Sequence, residues 1–133
     1  MWEIDYTYIE EWIDTQEPQE QYCLFAAAEI LAQQGPVLDR PLVDSIHGSA
    51  HANMKELRPA SPGTSEIRVL FAFDPNRMAI MLLGGDKSGA NNPKARGKDK
   101  WAEWYKSAIP KADRIYSEHL ASLKNESKRS KDD

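Results

Sequence analysis

The chain has 133 residues, 41% of them hydrophobic and 29% charged, which is the length and composition of a single globular domain. It contains no long apolar run of the kind that spans a membrane, and its one cysteine, Cys23, excludes a disulfide framework or a cysteine-based metal site. The opening residues 1–12 are acidic, which argues against a signal or transit peptide, so we expect a cytoplasmic protein.

The net charge of −4 conceals an uneven distribution along the chain. Residues 1–52 contain ten acids and one base, residues 53–116 contain twelve bases and seven acids, and residues 117–133 contain four of each. A basic central part indicates an anionic partner. The alternative is that both parts are simply solvated surface.

The N-terminal third predicts one strand followed by two helices. In residues 2–7, apolar and polar side chains alternate with the period of a half-buried strand. Residues 8–15 change to helical spacing, and a second helix is predicted over 19–34, ending at Gly35. Residues 36–53 show no sustained period and are predicted to be a loop.

Three strands are predicted in the middle of the chain, over 54–58, 66–73 and 77–85. The sequence Asp-Pro-Asn between the last two is typical of a type I turn, so the three strands predict an antiparallel meander. The polar and basic residues 86–100 are predicted to be a mobile loop.

The C-terminal part predicts helix. Residues 101–109 and 110–123 are both helical in pattern, and we expect Pro110 to break the run or to open a second helix. The charged residues 124–133 predict a disordered tail, which makes 1–123 the domain. The order of elements predicts an α+β domain whose meander sheet is covered on one face.

Strand alternation predicts that three charged side chains share one face of the sheet. Leu57 and the odd-numbered residues of 67–73 form the apolar face, so Glu56, Arg58 and Arg68 lie on the other. Two guanidinium groups for one carboxylate leave hydrogen-bond donors for a phosphate. The alternative is a cross-strand ion pair on an exposed face.

Several motifs, in order along the chain, resemble the RelE/HigB family of bacterial toxins in its phage-derived, HigB-like branch. They are WEIDYT, ILAQQGP, RPLVDSIHGSAHANMKELR, IRVLFAFDP, LLGGDKSG and WYKSAIPKADRIYSEHL, within residues 2–123. The resemblance implies a RelE-like microbial RNase fold: an antiparallel meander sheet backed by two N-terminal helices, with a C-terminal helix.

The resemblance also implies a function. The chain would be a type II toxin-antitoxin toxin, a ribosome-dependent mRNA endoribonuclease that causes growth arrest and is neutralised by a helix-turn-helix antitoxin in a hetero-oligomer. A ribose 2′-OH would attack the adjacent phosphate with no metal and no cofactor. Cationic side chains would stabilise the charge on the phosphoryl oxygens.

The positions that match the family pattern imply catalytic roles for Arg68, Arg58, Glu56, Lys87 and Tyr105. Arg68 corresponds to a transition-state arginine, and Glu56 occupies a position where some relatives carry a catalytic lysine, so it is the hypothetical general base. Basic side chains on the third predicted strand and in the loop are candidates for RNA contacts: Lys55, Lys94, Arg96, Lys98 and Lys100.

The three histidines predict less. His47 and His51 are four residues apart in a loop with no third ligand, so no metal site is predicted. His51 is a candidate acid at the edge of the site, with hydrogen bonding in a turn as the alternative. His119 is predicted to be structural.

Two alternative functions stay open at this point. One is a ParE-like gyrase inhibitor, which the cluster of Glu56, Arg58 and Arg68 disfavours because such members usually lack it. The other is a non-catalytic, partner-binding or co-repressor module, which the acidic balance of the chain favours.

Overall fold

A computed structural model describes residues 1–60, 66–86 and 98–132, with the side chains of residues 98–101 and 129–132 left out of the description. Strand β1 (Glu3–Asp5) leads through a 3₁₀ turn into helices α1 (Glu10–Asp14) and α2 (Pro18–Gln34). A second 3₁₀ turn precedes strands β2 (Val43–Ser45), β3 (Met54–Leu57), β4 (Ile67–Phe73) and β5 (Met78–Asp86), and the last element is helix α3 (Lys98–Asp132).

The five strands form one mixed sheet in the order β1-β5-β4-β3-β2. Strands β2 to β5 make an antiparallel meander, and β1 lies parallel to β5. The α+β class and the meander of β3, β4 and β5 are confirmed. Strand β2 lies within residues 36–53, which were predicted to be a loop. The prediction missed this strand because three residues are too few to show a period, and the strand is defined by its pairing with β3.

Both faces of the sheet are covered, so the prediction of a single covered face is wrong. On one face α1 and α2 pack against β3, β4 and β5, with Leu24 and Leu31 of α2 against Val69 and Phe71. On the other face α3 contributes a cluster of small and aromatic side chains. That second core contains Met54, Leu70, Ala72, Ile80, Leu82, Ala108, Ala112 and Tyr116.

Helix α3 is continuous through Pro110, where a break was predicted. Pro110 is exposed, while Ala108 and Ala112 on either side are buried against the sheet. Packing on both sides of the proline therefore holds the helix together despite the lost backbone hydrogen bond. Residues 124–132, which fall in the predicted disordered tail, are the last turns of this helix.

The turn between β4 and β5 is attached to α3 through buried polar contacts. The Asp74 Oδ1 atom accepts hydrogen bonds from the Asn76 and Met78 amides at 2.9 and 3.0 Å. The Asp74 Oδ2 atom is 3.0 Å from His119 Nε2, and the other ring nitrogen of His119 is 3.0 Å from the Tyr8 hydroxyl. His119 thus has the structural position that the sequence predicts.

Candidate functional site

Strands β3 and β4 bring together the three charged residues that alternation predicts. The Glu56 Oε1 atom accepts a hydrogen bond from Arg58 Nε at 2.8 Å and lies 3.8 Å from Arg68 Nε. The Glu56 side chain is 1% exposed, against 14% for Arg68 and 31% for Arg58. The Glu56 carboxylate therefore lies at the bottom of the cluster, and the two guanidinium groups lie nearer the surface.

A second carboxylate, which the sequence did not identify, joins the cluster from β2. Asp44 pairs with Glu56 across the β2–β3 ladder, and its two oxygens take Arg58 Nη2 and Arg40 Nε, each at 3.0 Å. Arg58 is therefore held between two acids. The sequence predicted two arginines for one acid, but Arg58 has two carboxylate partners and therefore fewer N–H donors left for a phosphate than predicted.

The arginines set the ionisation of Asp44. Partial desolvation raises the pKa of Asp44, but hydrogen bonds from Arg40 and the Ser45 amide, with the charges of Arg40 and Arg58, bring the net pKa below its ordinary value. For Arg58, desolvation lowers the pKa, but the hydrogen bond and the negative charge of Glu56 outweigh it, so the net pKa is raised. The Asp44 carboxylate and the Arg58 guanidinium are therefore both charged at neutral pH.

Tyr105 reaches the cluster from α3. Burial, followed by a hydrogen bond to Glu56 and the negative charge of Glu56, raises the pKa of Tyr105, although Arg58 and Arg68 act in the opposite direction. The phenol is therefore neutral at physiological pH and acts as a hydrogen-bond donor. The ring of Trp104 lies edge-on against it, with centroids 5.0 Å apart.

The two glycines at the end of β5 make room for tryptophans. A β-bulge opposite Leu70 and Phe71 shifts the alternation of β5, so that Gly84 faces Trp12 and Gly85 faces Trp104. A Cβ atom at either position would collide with the facing indole ring. This packing explains the glycine pair and places Trp104 beside Tyr105.

A cavity of about 280 Å³ opens over the cluster. Strand β2 and the residues after it form one wall, and α3 forms the other. The lining residues are Asp44, Ser45, Ile46, His47, Glu56, Arg58, Tyr105 and Ile109. From the sequence, His47 was examined only as half of a metal-binding pair. Nothing in the local pattern indicates that the pairing of β2 with β3 places His47 beside Glu56 in one cavity.

His51, a candidate acid with hydrogen bonding in a turn as the alternative, follows the alternative, because its amide donates to Ser49 Oγ at 3.0 Å. Its Nε2 atom is 2.8 Å from Ser117 Oγ and its ring packs against Tyr116, so it connects the loop to α3 instead of lining the cavity. Within residues 1–60, 66–86 and 98–132, no group of three or more His, Cys, Asp or Glu side chains is arranged to hold a metal ion. None of the helices described there is long and apolar enough to cross a membrane.

Two buried polar atoms of the cluster, Glu56 Oε2 and Arg68 Nε, have no hydrogen-bond partner among the described residues. Arg68 does donate from Nη1 to the Ile67 carbonyl at 2.7 Å. Buried polar atoms without partners cost free energy, and each one in a folded protein calls for an explanation such as a catalytic role or a bound water or ion.

Of the other predicted site residues, Lys55 is the one whose side chain the structure describes. Lys55 alternates onto the opposite face of β3, beside Leu57. Lys87, Lys94 and Arg96 lie outside the described residues. The backbone of α3 begins at Lys98, so Lys98 and Lys100 are in its first turn, and nothing further is described of their side chains.

Comparison with known proteins gives consistent matches over most of the chain. Residues 11–117 match the model of the family described as phage derived protein Gp49-like. The chain is 44% identical over 124 residues to a Mycobacterium tuberculosis protein named "Putative toxin HigB2", and 45% identical over 114 residues to "Putative toxin HigB3" of the same organism. These alignments cover 93% and 86% of this chain, but 57% of the length of the first relative and 89% of the second.

Proposed function

Because the chain belongs to the phage-derived Gp49-like family, the HigB-type branch that its sequence motifs indicated, we propose that it is the toxin of a toxin-antitoxin pair and cleaves mRNA. Its proposed partners are a helix-turn-helix antitoxin and mRNA on the ribosome, and its proposed location is the cytoplasm. The names of the two mycobacterial relatives support the toxin role.

The observation that carries the proposal is the arrangement of Arg58 and Arg68 around the buried carboxylate of Glu56, with Arg58 and Glu56 lining an open cavity. Guanidinium groups bind phosphate through several N–H donors at once and stay charged at any physiological pH. A cavity lined in part by the Arg58 guanidinium suits a phosphodiester better than a neutral substrate.

The proposed reaction is an attack by a ribose 2′-oxygen on the adjacent phosphorus. A bond forms between the 2′-oxygen and phosphorus as the 2′-OH loses its proton to a base, while the bond to the 5′-oxygen breaks and that oxygen takes up a proton from an acid, leaving a 2′,3′-cyclic phosphate and a 5′-OH. Arg58 and Arg68 stabilise the negative charge on the phosphoryl oxygens in the transition state. Tyr105, protonated at neutral pH, donates a hydrogen bond within the same cluster.

Glu56 fits a positioning role better than the role of general base. Its carboxylate is 1% exposed, and its Oε1 atom is bound to Arg58 at 2.8 Å and lies 3.8 Å from Arg68. It holds the two guanidinium groups at a common site. His47 is exposed and lines the same cavity, and an imidazole can accept or donate a proton in general acid–base catalysis, so we assign one of the two proton transfers to it.

Substrate RNA also needs contacts beyond the reacting phosphate. The basic residues Lys87, Lys94, Arg96, Lys98 and Lys100 precede or begin α3, the helix that carries Tyr105. We assign them to the phosphate backbone of mRNA or ribosomal RNA, and binding through them weakens as salt is raised. The position of Lys55 on the opposite face of β3 does not favour the same role for that residue.

The test is induction of the chain in a bacterial host, followed by mapping of 5′-OH ends in total mRNA. We expect growth arrest and new 5′-OH ends inside translated frames with the wild-type chain, and neither with Arg68→Ala. Arg114→Ala, which removes an exposed arginine of α3, is the matched control and retains both effects. Arrest without new ends contradicts the nuclease and favours a gyrase inhibitor, whereas no arrest by a folded wild-type chain favours a non-catalytic module.

A further inference from the structure

Helix α2 has apolar side chains on its outer side as well as its inner side. Leu24 and Leu31 are 1% and 0% exposed in the core, whereas Tyr22, Phe25 and Ile30 are 76%, 44% and 41% exposed. We call Tyr22, Phe25 and Ile30 the α2 face. A surface helix of a globular protein is normally polar on its outer side, so an apolar face of this kind indicates a contact with another molecule.

The chain segment that carries the α2 face is acidic. Residues 10–34, which span α1 and α2, contain six acids and no lysine or arginine. Glu29 is exposed on the face itself, seven residues after Tyr22 and thus two helical turns along the same side. The one base of residues 1–52, Arg40, is already paired with Asp44 at 3.0 Å.

We propose that the α2 face binds a basic amphipathic helix of a partner protein, which under the proposed function is a helix of the antitoxin. The apolar side of such a helix covers Tyr22, Phe25 and Ile30, and its lysines or arginines meet Glu29 and the neighbouring acids. A second copy of this chain is a poor occupant, because two equally acidic surfaces repel each other.

The α2 face and the candidate site lie on opposite sides of the sheet. Helix α2 packs on the face formed by Val69 and Phe71, whereas Arg68 alternates onto the other face. Substitutions on the exposed side of α2 therefore leave Glu56, Arg58 and Arg68 undisturbed. This separation allows partner binding and the activity of the site to be tested independently.

Binding is measured first with a defined probe, a fluorescein-labelled helical peptide of about 18 residues with leucine on one side and lysine on the other. We expect saturable binding to the full wild-type chain that weakens as salt is raised, and at least tenfold weaker binding to the Tyr22→Ser/Ile30→Ser variant. Val37→Ser is the matched control, because it removes an apolar side chain that is 80% exposed but outside the α2 face. Equal affinity of the double variant and wild type overturns the proposal.

The identity of the partner is tested by expressing each variant with the protein encoded next to this chain. We expect Tyr22→Ser/Ile30→Ser to arrest growth as wild type does but no longer to be rescued by that protein, while Val37→Ser is rescued. Rescue of the double variant overturns the antitoxin as occupant, and a wild-type dimer in size-exclusion chromatography that the double variant loses favours a second copy. Absence of arrest by wild type contradicts the proposed function instead, and leaves the peptide result standing.

Discussion

The carboxylate of Glu56 and the guanidinium of Arg58 form a hydrogen-bonded ion pair, Oε1 to Nε 2.8 Å, in which the acid is 1% exposed and the base is 31% exposed. The acid is thus inside the protein and the base is at its surface. This asymmetry makes Glu56 the support on which Arg58, and at 3.8 Å Arg68, are placed. A support of this kind is tested by stability and activity together.

Glu56→Ala is expected to lower the free energy of unfolding by about 2–3 kcal/mol, because it leaves two guanidinium groups close together without their shared counter-charge. Water at the partly exposed Arg58 guanidinium moderates this loss. Urea unfolding of Glu56→Ala, Arg58→Ala and the double variant measures the coupling, and we expect the double variant to lose less than the sum of the two single changes. Additive losses contradict the supporting role.

Asp44→Asn tests the second carboxylate through pH. The pKa of Asp44 is lower in the folded chain than in the unfolded chain, so its contribution is fully present above about pH 4 and is lost as the pH falls through the folded value. We expect wild type to exceed Asp44→Asn by about 1 kcal/mol at pH 7, with the difference vanishing in acid. Asp39→Asn, at an exposed position, is the control. A stability difference between wild type and Asp44→Asn that stays constant with pH contradicts a contribution from the ionised Asp44 carboxylate.

Tyr105→Phe tests the neutral phenol at the opposite end of the pH range. Because the pKa of Tyr105 is raised on folding, its stabilisation is present below about pH 10 and is lost as the pH rises toward the folded value. The wild-type advantage over Tyr105→Phe, about 1 kcal/mol at pH 7 for one hydrogen bond, is therefore expected to shrink above about pH 10. Urea midpoints of both proteins across this range measure it, and a constant advantage is the contrary result.

His47→Ala tests a residue that became a candidate only through the cavity. Under the proposed function, we expect RNA cleavage to fall by about tenfold to a hundredfold, with the urea midpoint unchanged because the side chain is exposed. The matched variant His51→Ala removes the histidine that contacts Ser117, and its cleavage rate is expected to stay near that of wild type. The assignment fails when the two variants lose cleavage equally.

Gly85→Ala tests the close approach of Trp104 to β5. A methyl group at this position collides with the indole, so we expect a loss of about 1–3 kcal/mol and a change in tryptophan fluorescence. The second variant, Gly85→Ala/Trp104→Leu, relieves the collision and is expected to be less destabilised than the sum of its parts. Unchanged fluorescence and stability in Gly85→Ala contradict the packing.

Much of the fold and part of the site follow from the sequence alone. The period of the apolar residues determines β1, α2 and the three strands β3, β4 and β5, because each of these elements has one buried side whose spacing appears in the chain. The same alternation places Glu56 and Arg68 on one face without any knowledge of the rest of the protein. The order of the motifs indicates the family.

Contacts between distant segments decided the remainder. Strand β2 exists because Val43 and Asp44 pair with β3, and three residues by themselves carry no period. That pairing brings Asp44 to Arg58 and His47 to the cavity, while α3 covers the face that local alternation left open and carries Tyr105 to Glu56. The sequence determined which way each side chain points within its own strand. Only the packing of β2 and α3 around β3 and β4 decided which groups each side chain contacts, because free energies of pairing and burial depend on neighbours far away in the chain.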